Sequence, residues 1–199
     1  MMSSPTLICI PDISGFTEFM SETNIELSAK VIPSLLNNII YSNEINLKVS
    51  EIEGDAVLFF RKGKLPPFKD LITQCKLFFN EFYKQLDVLS QKYSEEKGIR
   101  NIPKLGLKII LHFGDDVKSV QIGNRIKLMG EDVIVAHRLL KNDIKEDEYL
   151  LISEALLDQY KDEVIERNFN WGELKDNDQK YRHLGEINYS YVKMHKLIG

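Results

Sequence analysis

Ile8-Cys9-Ile10-Pro11-Asp12-Ile13-Ser14-Gly15-Phe16-Thr17 decides how this chain is read. Leu7 to Ile10 form a short apolar run, the length of a buried strand and too short to span a membrane. Asp12 closes the run, where the last side chain of a strand can face a cleft. Ser14 and Gly15 turn the chain, and a helical pattern opens near Thr17. The free N–H groups of a helix start are a natural seat for phosphate. A carboxylate beside such a seat is a place for Mg²⁺, which takes one or two carboxylates together with phosphate oxygens. The same stretch also reads as a plain strand-to-helix turn in which Asp12 caps the helix.

Outward from this stretch, apolar residues take helical spacing from Phe19 to Ile40, with Pro33 expected to start or kink a second helical piece. Leu47 to Ile52 alternates as a strand, Glu53-Gly54-Asp55 turns, and Ala56 to Phe60 is a second strand, a hairpin with Asp55 at its tip. Phe68, Leu71, Ile72, Cys75, Phe78, Phe79, Phe82, Leu86 and Leu89 share one face of a long helix, the pattern of a helix packed on a sheet. Leu105 to Phe113 reads as a strand, Gly114-Asp115-Asp116 as its turn and Val117 to Ile122 as its hairpin partner. Arg125 to Met129 is a short extended piece. A helix begins near Glu131-Asp132, two acids that suit its dipole. Tyr149 to Ile152 is a strand, and Ser153 caps a short helix to Tyr160. Two strand-like runs around Gly185-Glu186 end the chain.

Hairpins alternating with long helices favour an α+β fold, a ferredoxin-like antiparallel or mixed sheet with helices on one face. In that fold the end of the first strand lies beside the following hairpin. Asp12 and Asp55 then converge at one edge, which favours the metal–phosphate reading over the capping one.

Composition bounds the rest. Over 199 residues, 43% apolar and 28% charged residues suit a soluble globular chain able to bury a core without staples, so a single domain over 1–199 is expected. A net charge of −4 disfavours nucleic acid as a partner. Cys9 and Cys75 sit in apolar patterns and read as reduced core residues. Met1 to Pro5 carries no positive charge and the apolar run after it is short, so no signal peptide or membrane partner is read and a cytoplasmic location is expected.

These segments, in this order, resemble the catalytic domain of class III adenylate and guanylate cyclases, over nearly the whole chain. Asp12-Ile13-Ser14-Gly15-Phe16-Thr17 resembles the family's first signature, and Glu51-Ile52-Glu53-Gly54-Asp55-Ala56 its second metal-carrying hairpin. Leu107 to Gly114 is similar to the family's central strand. Gly130 to Leu139 resembles the helix carrying its asparagine and arginine, and Leu151 to Ala155 also fits. The resemblance implies a cyclase-homology domain of nucleotide cyclase type. Asp12, Asp55 and the Ile13 carbonyl would hold two divalent metals, Mg²⁺ or Mn²⁺, and Gly15, Phe16 and Thr17 would receive phosphates. Arg138 would be the catalytic arginine that stabilises developing charge. Glu51 and Lys127 match the two base-reading positions. A purine nucleoside triphosphate as ligand and a head-to-tail homodimer, in which one subunit supplies the metals and the other the arginine, are implied with it.

Departures from the pattern shift the expected function. The asparagine four residues before the arginine is Ile134, which cannot hydrogen-bond. Glu51 resembles the guanine-reading glutamate, but Lys127 stands where cyclases carry aspartate, threonine or cysteine. Lys127 could pair with Glu51 and block the base pocket, or contact the nucleotide. Leu184 replaces a phosphate-binding lysine, with Arg182 and His183 nearby, and Glu53 adds negative charge beside Asp55. The expected function is therefore metal-dependent binding of a purine nucleoside triphosphate with weak or no cyclase activity. The alternatives are an inactive dimerising regulatory or nucleotide-sensing module, or a low-activity cyclase. His112 reads as structural, His137 as exposed or at a dimer contact, and Trp171 as a packed loop aromatic. His183 and His195 lack metal spacing, and Lys62 and Lys64 read as a solvated loop.

Overall fold

A computed structural model of the chain describes residues 4–96 and 99–194. Met1 to Ser3 and His195 lie outside the described residues. The central strand β1 (Ser4–Ser14) is buried along nearly all its length. Its odd and even side chains point to opposite faces. Leu7, Cys9 and Ile13 pack with α2 (Ile25–Tyr41) and α3 (Phe68–Lys92). Ile8 and Ile10 pack with α4 (Glu131–Leu139). A strand covered on both faces must be apolar at every position, which is why Leu7 to Ile10 does not alternate.

The other elements are α1 (Phe16–Glu22), β2 (Lys48–Glu53), β3 (Ala56–Lys62), β4 (Gly106–Ile122), β5 (Arg125–Met129), β6 (Tyr149–Ser153), α5 (Glu154–Leu157), α6 (Asp162–Asn168), β7 (Lys175–Tyr181) and β8 (Gly185–Lys193). The strands form one mixed sheet in the order β2-β3-β1-β4-β6-β8-β7, with β5 paired to β4. All strand pairs are antiparallel except β4 with β6. This is the expected α+β sheet with helices packed on it. No helix among the described residues is long and apolar enough to cross a membrane.

Four local expectations are corrected. Helices cover both faces, because α4 closes the face opposite α2 and α3. Gly114-Asp115-Asp116 does not turn: β4 runs through it to Ile122, and its hairpin partner is β5, after a turn containing Gly123 at φ 62°. Gly114 is small for another reason, since a Cβ there would collide with the Asp132 side chain at the start of α4. Pro33 neither starts nor divides a helix. The break comes at Asn24, whose Oδ1 accepts from the Leu27 N–H at 2.8 Å, and Pro33 sits on the exposed side of α2. The helix after Ser153 ends at Leu157 rather than Tyr160, with Ser153 Oγ accepting from the Leu156 N–H as expected.

Cys9 and Cys75 are free and fully buried. Trp171 packs on Phe169, donates to the Asn168 carbonyl, and lies under the Lys76 ammonium at 4.3 Å.

Candidate functional site

The register of the central strands builds the site. Asp12 on β1 pairs with Ala56 on β3 to one side and with Lys108 on β4 to the other. Partners in register share a face, and here it is the α4 face. The Lys108 ammonium therefore reaches Asp12 Oδ2 at 3.0 Å. Asp55 sits just before β3, and its carbonyl accepts from the Ile13 N–H at 3.0 Å, which pins the hairpin tip to the end of β1. Both aspartates line one cleft of about 590 Å³, with Glu51, Glu53, Lys108, Ile134, His137 and Arg138 among its other walls.

Burial sets the charge state of this group. Asp12 is 7% exposed, and desolvation, with the negative charge of Asp55, pushes its carboxyl up to about 6 against the opposing pull of Lys108. Asp55 is raised as well, first by burial. Burial acts to lower Lys108, but the nearby carboxylates reverse this and hold its ammonium above the usual value. Two carboxyls facing one cleft fit the donor preference of a single hard divalent cation, which completes its shell with water or ligand oxygens. Among the described residues no cluster of three or more histidine, cysteine, aspartate or glutamate side chains could hold a metal. Any cation at Asp12 and Asp55 would share them with Lys108.

The other expected site residues divide into two groups. Glu51, 14% exposed at its side chain, meets Lys127 Nζ at 2.6 Å and faces His137 Nε2 at 3.7 Å. Lys127 on β5 thus reaches across to β2, and the pairing weighed from sequence is present. Arg138 and Ile134 lie on the cleft side of α4, with Ile134 53% exposed. Gly15, Phe16 and Thr17 are not among the cleft walls. Gly15, at φ 77°, caps the short helix α1, and its backbone lies against the Lys104 carbonyl. The Ile13 side chain is buried in the opposite core. Leu184 packs partly buried against the α4-side core, at the β7–β8 hairpin. The Tyr181 hydroxyl on that hairpin donates to the Arg138 carbonyl at 3.0 Å.

Sequence reasoning missed Lys108. The available signal was one charge inside the apolar run Leu107-Lys108-Ile109-Ile110-Leu111, in register with a carboxylate on its neighbour strand. His112, expected to be structural, is buried. Its Nδ1 lies 2.9 Å from Ser153 Oγ, and its Nε2 faces Asp132 Oδ1 at 3.4 Å. That contact holds the Asp132 carboxyl below its ordinary value, against burial, with help from the Asp116 and Asp115 N–H groups.

The family described as Protein of unknown function (DUF2652) matches residues 32–149. The matched stretch contains Asp55, Lys108, Lys127, Ile134 and Arg138 but begins after Asp12. An uncharacterized protein, Rv2561/Rv2562 of Mycobacterium tuberculosis (strain ATCC 25618 / H37Rv), is 27% identical over 112 residues, 55% of this chain and 51% of that protein. The chain thus aligns with about half the length of this relative. Among solved structures, the adenylyl cyclase CyaB from P. aeruginosa superposes with a TM-score of 0.65 at 19% identity, covering 100% of this chain and 98% of that one. The guanylate cyclase domain of RhGC from Catenaria anguillulae, in complex with GTP, gives 0.59 at 15% identity, covering 96% and 97%. At these identities the likeness shows the fold: this is the fold of nucleotide cyclase catalytic domains.

Proposed function

We propose a function for this chain from one premise: it belongs to the family described as Protein of unknown function (DUF2652). It is a nucleotide cyclase-like domain over 1–199, a divergent relative of the class III cyclases, that binds a purine nucleoside triphosphate with the help of Mg²⁺ or Mn²⁺ and cyclises it weakly or not at all. The observation that carries this reading is the meeting of Asp12 and Asp55 in one cleft with the Arg138-bearing helix. A divalent cation held there supplies charge that draws phosphate oxygens. Arg138 offers a guanidinium to the same oxygens.

The cleft also carries the reasons for weak turnover. Ile134 gives the α4 wall no hydrogen-bonding group where a ribose would need orienting. Lys127 occupies the acceptor of Glu51, so a guanine edge would have to displace an ion pair. The second reading, an inactive dimerising module, rests on Ile52, Ile126, Met129 and Ile134, all more than half exposed.

The test is titration of labelled ATP and GTP with Mn²⁺, with cyclic product assayed in the same tubes. Binding is expected only with the cation, and is expected to vanish in Asp12→Ala and Asp55→Ala while both variants stay folded. Binding that ignores EDTA, or survives both substitutions, overturns the reading.

A further inference from the structure

We propose that Lys108 is a built-in counter-ion that competes with a divalent cation for Asp12 and Asp55, so that the bare cleft takes at most one such ion and takes it weakly. The inference rests on the metal part of the proposed function and concerns how that site is regulated.

Register, distance and burial carry the argument. Lys108 is the cross-strand partner of Asp12, not a mobile surface lysine that wandered in. Its Nζ lies 3.0 Å from Asp12 Oδ2, with side chains only 22% and 10% exposed. Asp55 adds attraction to the same ammonium. Charges this close and this buried interact far more strongly than a solvated pair. The two aspartates and Lys108 sum to one net negative charge. The remaining charged walls nearly cancel too, with Glu51 and Glu53 against Arg138 and Lys141. A divalent ion entering this cleft must push against Lys108 or wait until Lys108 finds another anion. Two divalent ions would meet that repulsion twice, with one net negative charge to receive them.

The competition can be read without any nucleotide. Mn²⁺ alone is titrated into the full chain, and free Mn²⁺ is followed by electron paramagnetic resonance. A cation within about 4–6 Å changes a carboxylate's affinity for a proton by about ten- to a thousand-fold. Lys108→Met should therefore tighten Mn²⁺ binding about tenfold or more. Lys108→Gln is a second neutral variant should the first fail to fold, as judged by circular dichroism. Lys108→Arg keeps the charge and should bind as weakly as the unmodified chain. Adding Asp55→Asn to Lys108→Met should remove the gain, which assigns the ion to this cleft.

Equal Mn²⁺ affinity with and without the Lys108 charge, still lost with Asp55→Asn, would overturn the counter-ion role and leave the metal site standing. No Mn²⁺ binding to the unmodified chain or to the folded neutral variants would overturn both. Weaker binding in Lys108→Met would show that the lysine supports the ion, and would also overturn the proposal.

Discussion

At Ile134 and Lys127 the proposed chemistry depends on single side chains. Ile134 lines the cleft on the same helix as Arg138 and has no polar atom to offer a ribose. Lys127 holds Glu51 at 2.6 Å. A positioned hydrogen bond in such a site is worth roughly 3–4 kcal/mol in the transition state. Ile134→Asn should then raise cyclic nucleotide formation by about tenfold if even 1.4 kcal/mol is recovered. Ile134→Asn with Lys127→Cys should favour GTP, since Glu51 becomes available to accept from guanine. A product assay with both nucleotides checks this. Bound nucleotide with no cyclic product from either variant would leave the regulatory module as the better reading. The residues involved were readable from sequence. So was their pairing, as one of two alternatives; it is the one that holds because β5 turns back along β4 and brings Lys127 to β2.

The element that matters most is α4, held at its first turn from three directions. Asp132 accepts from the Asp116 N–H, faces His112, and fits against Gly114, where any side chain would collide. Gly130, at φ 147°, has no room for a Cβ against the Asp116 carbonyl. Two acids in the first turn also suit the helix dipole. The Asp132 carboxyl titrates below its ordinary value in the folded chain, so the unfolded chain holds its proton at higher pH. Its stabilisation is complete above the unfolded value of about 4 and is lost as pH falls through the lower folded value. Asp132→Asn should cost about 1 kcal/mol at pH 7, at the low end for a charged hydrogen bond because the group is partly solvated. That difference should shrink below about pH 4. Urea unfolding of both proteins at pH 7 and pH 3.5 measures it, and a pH-independent difference would assign the loss to packing instead.

Across the whole molecule, the elements around the cleft carry exposed apolar side chains. Ile52 on β2, Ile126 and Met129 on β5, and Ile134 on α4 are each more than half exposed. A second copy seated head to tail against these elements would cover apolar surface beside the cleft, as the homodimer implied by the cyclase resemblance requires. Sedimentation velocity should report a dimer at micromolar concentration. Ile126→Glu, which places a charge in the apolar surface, should shift it to monomer and weaken nucleotide binding with it. A monomer in the unmodified chain, with nucleotide still bound, would rule out the head-to-tail dimer.

Local sequence signals set the element types wherever one of them dominated. The apolar run of β1, the one-faced stripe of α3 and the hairpin around Gly54 each follow from local periodicity and turn chemistry. These signals also placed Asp12 and Asp55 at neighbouring strand ends, because an antiparallel hairpin beside β1 leaves little freedom of register. The role of Gly114, by contrast, comes from packing between distant segments. A glycine followed by two aspartates has the composition of a turn, yet β4 runs straight through it because the glycine makes room for Asp132. The tertiary structure also put α4 across the second face of the sheet and Lys108 against Asp12. Both depend on strands far apart in sequence lying side by side, and a cross-strand neighbour leaves no periodic trace in either strand alone.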